Sequence, residues 1–419
     1  MADSLKVLMV GGRRAGKTSI LAGLLDTMLH GDVKNIISIQ DKTVLQAGQE
    51  SLTDKIETLK QSINRLRDKT FLVDDSRTSA FTNYTIQISI PGTSNNMTIE
   101  FKDANGEFFE SKSAYEGNIS KQDIVDAVKE ADIYIVAIDT PYLMEAANPH
   151  NELCTEGVNS SHNHIADVHT FLTAIDDKDG ADAKMVIFAP VKCEKWAHSG
   201  QIDKVVKRVQ EAYDIIFKSL NSYKNVEVNI IPVETVGAIE FKEHQTAYVC
   251  SNKRYTARKC CVINDDTELR FSNGECRPIT NDDYIDEDPE ARISKFHNII
   301  RPYSWFHITR SEYKPKNCDQ LAYYTLQFIL SKYLFIKEAE KANEKKKNKS
   351  SWKYIVSAVL ACFSWSAALL FFVAKTILDK MGTISLSQLE TVVSSLRQKG
   401  KIKQGVDGIV NVKRSLLKH

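Results

Sequence analysis

"LKVLMVGGRRAGKTS", residues 5–19, runs from an apolar stretch straight into a glycine-bracketed loop. Gly11, four residues, Gly16, Lys17 and Thr18 keep the spacing G-x-x-x-x-G-K-[ST] without a gap. Glycines at those places let the backbone N–H groups wrap a phosphate at a helix N-terminus, where unpaired donors and the helix dipole favour negative charge. The lysine then lies between the β- and γ-phosphates, and the threonine hydroxyl faces Mg2+. Gly11, Gly12, Arg13, Arg14, Ala15, Gly16, Lys17, Thr18 and Ser19 are therefore expected around the phosphates of a nucleotide. Arg13 and Arg14 are the unusual members of this loop. Arg13 falls nearest the γ-phosphate, as a catalytic cation or as electrostatic support, and Arg14 falls toward solvent or the rim on the base side.

A Mg2+ held on phosphates takes a carboxylate from a neighbouring strand end. "MTIEFKDANGEFF", residues 97–109, alternates apolar and polar residues and ends its alternation at Asp103. Gly106, three residues further on, can offer its N–H to a γ-phosphate.

The first 240 residues alternate short apolar runs with helical patterns, which predicts an α/β fold around a parallel sheet. Strands are expected over Leu5–Val10, Tyr84–Ile90, Met97–Lys102, Ile133–Ile138, Met185–Ala189 and Val226–Pro232. The turn-rich hexapeptide Pro91–Asn96 makes the second and third an antiparallel hairpin. Helices are expected over His164–Ile175 and Ile202–Leu220. Between the loop's helix and the hairpin, Leu45, Leu52, Ile56, Leu59, Ile63 and Leu66 form a seam within about residues 40–70, which predicts one amphipathic helix of about six turns. That helix packs on its own domain or meets a partner or a second copy.

The order of these parts resembles the translation-factor-related (TRAFAC) class of P-loop GTPases over residues 5 to about 240, more than half of the chain. The resemblance implies a three-layer P-loop NTPase fold, GTP or GDP as ligand with Mg2+, and GTP hydrolysis that is slow or activated by a partner. It implies a first-switch threonine before the hairpin, Thr78 or Thr82, with Thr78 preferred as a Mg2+ ligand. It places base recognition after the fifth strand, at Val191-Lys192-Cys193-Glu194, where valine stands for the family's asparagine and glutamate for its aspartate. There Lys192 would stack its stem along the base and Glu194 would accept the guanine N–H donors. Thr235-Val236-Gly237 would present a loop N–H to guanine O6. Glu107 stands where many members keep a water-orienting glutamine, and Arg13 could neutralise its charge. "APVKCEKW" and "IPVETVGAIEF" are similar to the bacterial double-GTPase group of conflict systems, which implies a role in antiviral defence.

Beyond this core, residues 241–317 read as an inserted module or long loops, and the acidic run "NDDYIDEDPEA" within them as solvated surface rather than a metal site. A helix over 318–342 would close the core, followed by a basic linker, 343–353. Residues 355–374 carry no charge over twenty positions, the length that spans a bilayer, so 354–375 is expected to be a transmembrane helix or a buried one. Lys345, Lys346, Lys347, Lys349 and Lys353 crowd its N-terminal flank and keep the core on the cytoplasmic face, of the inner membrane in a bacterium. Residues 376–419 read as an amphipathic, basic tail suited to anionic lipid.

Lys+Arg 55 against Asp+Glu 54 leaves a net charge of +1, so no nucleic-acid partner is expected. The eight cysteines form no C-x-x-C pair, which argues against both a zinc knuckle and a disulfide framework. The function expected is a membrane-tethered, Mg2+-dependent GTP switch. The alternatives are a membrane-disrupting effector gated by nucleotide, an ATP-binding protein, or a scaffold that hydrolyses nothing.

Overall fold

The strand that the phosphate loop requires is present, and so is every other strand expected of the first 240 residues. The computed structural model describes residues 4–12, 14–35, 37–44, 51–65, 70–72, 82–89, 96–103, 121–151, 153–175, 183–223, 225–249, 259–263, 268–271, 276–278, 301–310, 312–346, 394–395, 398 and 407–413. In chain order the strands are β1 (Ser4–Val10), β2 (Ser38–Asp41), β3 (Thr70–Leu72), β4 (Thr82–Ser89), β5 (Asn96–Asp103), β6 (Ile133–Asp139), β7 (Lys184–Val191), β8 (Val226–Ile230), β9 (Ile239–Val249), β10 (Lys259–Ile263), β11 (Glu268–Phe271), β12 (Cys276–Pro278), β13 (Arg301–Ile308) and β14 (Val410–Lys413). The helices are α1 (Lys17–His30), α2 (Leu52–Arg65), α3 (Lys121–Glu130), α4 (Thr140–Glu145), α5 (Glu156–His162), α6 (Ile165–Thr173), α7 (Glu194–His198), α8 (Ile202–Ala212), α9 (Asp214–Ser222) and α10 (Cys318–Lys346).

Eight strands form one sheet in the order β14-β8-β7-β6-β1-β5-β4-β2. Its middle, from β8 through β7, β6 and β1 to β5, is parallel throughout. β4 and β5 pair as the expected antiparallel hairpin. β1 is apolar on both faces because both are covered. Val7 and Met9 join the core beneath α1 and α10, whereas Leu8 and Val10 join the core beneath α3, α6 and α9. The result is a three-layer mixed α/β fold whose mostly parallel sheet fits the P-loop NTPase architecture.

Three expectations are corrected by this architecture. The amphipathic helix begins later than expected: Ser51 lies outside it, α2 covers Leu52–Arg65, 14 residues or about four turns, edge strand β2 precedes it, and residues 45–50 and 66–69 lie outside the described residues. The stretch 202–220 is two helices, because the backbone leaves helical geometry at Tyr213, φ −106° and ψ 16°. Val205 packs on the core around Trp196, while Ile216 and Leu220 pack on the sheet.

The third correction concerns the end of the chain. Val410–Lys413, read as part of a lipid-bound tail, form β14, antiparallel to β8 at the edge of the main sheet. Ile409 before it is 1% exposed and belongs to the core that α1 and α10 share. Residues 354–375 themselves lie outside the described residues; among the latter, no helix is long and apolar enough to cross a membrane.

Residues 239–308 contribute five strands, β9 to β13, to a second, antiparallel sheet of order β12-β11-β10-β9-β13-β3, which β3 completes. β9 and β13 pair along nearly their whole length, and the run "NDDYIDEDPEA" falls outside the described residues. Trp196, Phe241 and Phe306 pack this sheet against α7, at the end of β7.

Candidate functional site

Ligand sites in parallel α/β sheets lie outside the carboxyl ends of the strands. The ends of β1, β5, β6 and β7 meet here. Register fixes the partners: Met9 pairs with Asp103 across β1 and β5, and Asp139 pairs with Val191 across β6 and β7.

The phosphate end is assembled around Lys17. Lys17 is only 7% exposed, and its ammonium donates to the carbonyls of Gly11 at 2.8 Å and Gly12 at 2.7 Å. Burial pushes its pKa down to about 8, opposed by the charge of Asp103. Gly11 has φ +134°, and a Cβ there would stand 2.7 Å from the Ala137 carbonyl oxygen, so only glycine lets the loop pass β6. α1 starts at Lys17 after Gly16, with no side chain capping it, which leaves its first amides, those of Lys17, Thr18 and Ser19, facing the loop. Ala15 is fully buried beneath the loop, and its N–H donates to the Gly12 carbonyl at 3.3 Å.

The two expected metal-side groups meet. The Thr18 hydroxyl donates to Asp103 Oδ2 at 2.7 Å, across 85 residues of sequence, and Asp103 is 1% exposed. Hydroxyl and carboxylate oxygens are the hard donors that Mg2+ takes beside phosphates, so this pair fits that ion. Arg13, Gly106, Glu107 and Thr78 lie outside the described residues, and Thr82 is the first residue of β4.

The base end departs from expectation. Arg14, expected toward solvent or the rim on the base side, is half-buried, with its guanidinium 4.9 Å from the centre of the Tyr303 ring on β13. Arg14 and Lys192 both have left-handed backbones, φ 64° and 58°. The Arg14 carbonyl accepts a hydrogen bond from Lys192 Nζ at 2.7 Å, and that same ammonium pairs with Asp139 Oδ2 at 2.6 Å. Lys192 thus ties the phosphate loop to β6. Glu194 is fully buried as the first residue of α7, and its Oε1 accepts the Gly237 N–H at 3.3 Å. Thr235 and Val236 are also buried.

Asp139 was not singled out from sequence. It anchors a buried cluster: His162 Nε2 lies 3.2 Å from Oδ2, and the Asp139 N–H donates to Asn163 Oδ1 at 2.7 Å. Asn163 in turn donates to Asn159 at 2.8 Å. Although burial opposes ionisation, Lys192 and His162 hold the Asp139 carboxyl down to about 2. The His162 ring stacks on Tyr142 at 3.5 Å, and Tyr142 meets His244 of β9. The legible signal was position: Asp139 is the first charged residue after the wholly apolar Ile133–Ile138, at the carboxyl end of a strand beside the loop.

Together, the parallel sheet, the glycine loop between β1 and α1, and the Thr18–Asp103 pair fit a P-loop NTPase fold. No family model matches the sequence, and no curated protein matches it. Among solved structures, two of the GTPase-like domain of Ski7 from S. cerevisiae match, one bound to GDP and inorganic phosphate and one bound to GTP. Each is 14% identical with a TM-score of 0.28, and the match covers 55% of this chain and 43% or 42% of the Ski7 chain. The chain therefore spans less than half the length of the structures it matches.

Proposed function

We propose that the chain is a Mg2+-dependent GTPase-type switch. The observation that carries this reading is the joint placement of Lys17 against the loop carbonyls and of the Thr18 hydroxyl against Asp103. Lys17 and the first amides of α1 bind the β- and γ-phosphates, because that is where unpaired donors and a buried cation converge. Thr18 and Asp103 hold Mg2+, which when bound neutralises charge on the phosphate oxygens. Arg13, Gly106, Glu107 and Thr78 are assigned to the γ-phosphate side from their spacing, with Glu107 orienting water and Arg13 balancing its charge.

We further assign residues 354–375 and their lysine-rich flank to contact with anionic lipid on the cytoplasmic face, in a bacterial defence setting. The pairing of β14 with β8 supports keeping both ends of that stretch on one side of the bilayer. The test is GTP binding and phosphate release by the purified full-length protein with and without Mg2+, beside Asp103→Ala. Mg2+-dependent release that Asp103→Ala abolishes is expected. Failure to bind any nucleoside triphosphate would sink the reading.

A further inference from the structure

Base reading in the GTPase pattern needs two separate parts, an acidic side chain after the fifth strand and a loop amide after the sixth, with the purine edge between them. In this chain those two parts bind each other. Glu194 is 0% exposed, and its Oε1 already accepts the Gly237 N–H. Its Oε2 is equally shut away, and the amides of Glu194 and Val236 also face the carboxyl. The carboxyl oxygen thus stands as the acceptor for the loop amide, the part that guanine O6 would play.

The loop cannot swing out to restore the gap. It is laced from its other side to the segment that enters α10. The Glu234 N–H donates to the Lys316 carbonyl at 3.2 Å, and the Lys316 N–H returns to Glu234 at 2.9 Å. The Lys314 N–H donates to the Val236 carbonyl at 3.0 Å, and the Thr309 N–H to that of Ala238 at 2.8 Å. Gly237 has φ +68°, and a Cβ there would fall 1.8 Å from the Lys314 carbonyl oxygen. Glutamate is one methylene longer than the aspartate of the pattern, and that length carries its carboxyl across to the loop.

We infer that Glu194 is a clasp that closes the base-reading loop on itself, so that this site takes nucleoside triphosphates by their phosphates without reading the base. This rests on the nucleotide-binding reading above and sharpens its substrate class. Burial pushes the Glu194 carboxyl up to about 8, with the Glu234 charge adding to it and the amides of Glu194, Gly237 and Val236 opposing. A neutral acid at pH 7 is a poor partner for the two N–H donors of guanine.

The experiment is competition by GTP, ITP and ATP, each with Mg2+, against a fluorescent GTP analogue on the full-length protein and two variants. The expected result is that the three nucleotides bind within about threefold of one another and that Glu194→Gln, which keeps the acceptor, leaves the ratios unchanged. Glu194→Asp withdraws the carboxyl from the loop and should raise GTP over ITP by about tenfold, since a site that hydrogen-bonds a group rejects analogues lacking it. The stability of the protein gives a second readout. Because the folded pKa lies above the ordinary 4.5, the contribution of Glu194 is complete below pH 4.5 and is lost as pH rises through about 8. Denaturant midpoints of Glu194→Gln should not show that loss. A guanine preference of about a hundredfold in the parent protein overturns the inference, whether or not Glu194→Gln removes it. Binding of no nucleotide at all overturns the function proposal itself, so the two failures are told apart.

Discussion

The phosphate end and the base end of this site were laid down by the same sheet, yet only one of them follows its motif. At the phosphate end Lys17, Thr18 and Asp103 stand where their spacing puts them. At the base end Lys192 turns to Asp139 and the phosphate loop, and Glu194 turns to Gly237. The difference lies in what carries each function. A phosphate is held by backbone amides and a helix terminus, which the glycine spacing determines. A base is read by the reach of side chains, and one methylene is enough to redirect that reach.

The sharpest way to break this contrast is at its strong end. Lys17→Ala removes a buried cation that would make two charge-assisted contacts to phosphates, each worth about 2 kcal/mol, so nucleotide affinity should fall about a thousandfold. Titration calorimetry with GTP and Mg2+ measures it. Affinity within tenfold of the parent would show that the phosphate end does not work as its geometry says. The same lysine should make binding weaken above pH 8 in the parent, because its folded pKa is about 8 and only the ammonium attracts phosphate.

The next test falls on the residue that joins the two ends. Asp139→Asn leaves Lys192 buried without its counter-charge, which should destabilise the fold by about 2 kcal/mol, less than full removal of a buried partner because the amide can still accept a hydrogen bond. The sign with pH follows from the depressed pKa. In the parent the Asp139 contribution is present above pH 3.8 and is lost as pH falls through about 2, whereas the variant lacks that acid loss. Chemical denaturation at pH 7 and at pH 3 checks both. An unchanged midpoint at pH 7 would mean that the Lys192–Asp139 pair contributes nothing net.

These two ends also show how far the sequence could be read. All six core strands and the hairpin were legible because alternation and continuous apolar runs report burial directly. The break at Tyr213 was not, since Val205, Val209, Ile216 and Leu220 keep helical spacing across it, and Val209 packs in the same core as Ile216 and Leu220. β14 was invisible because "VNVK" is four residues in a basic tail, and its partner β8 lies 180 residues earlier. Asp139 carried no motif; it became significant only when β6 and β7 set it beside Lys192. The contact that Glu194 makes with Gly237 was hidden for a related reason. A motif position gives a residue type and a place, but the direction of a buried side chain depends on which donors the rest of the fold brings within reach.

The smallest effect is expected at the arginine on the rim. A non-glycine residue in the left-handed region costs about 1 kcal/mol, and the contact of the Arg14 guanidinium with Tyr303 returns about the same. Arg14→Ala keeps the strained backbone and loses the contact, so it should destabilise by about 1 kcal/mol. Arg14→Gly loses the contact but relieves the backbone, so it should lie close to the parent and about 1 kcal/mol above the alanine variant. Thermal midpoints of the three proteins decide it. Equal midpoints for alanine and glycine would show that the left-handed turn is not strained, and with it would go the reason for regarding Arg14 as a deliberate link. The expected order means that stability alone gives no reason to keep arginine over glycine here. What arginine adds is a connection from the phosphate loop to β13, so that the second sheet is fastened to the loop by Arg14 and, through the backbone carbonyl of that same residue, to Lys192.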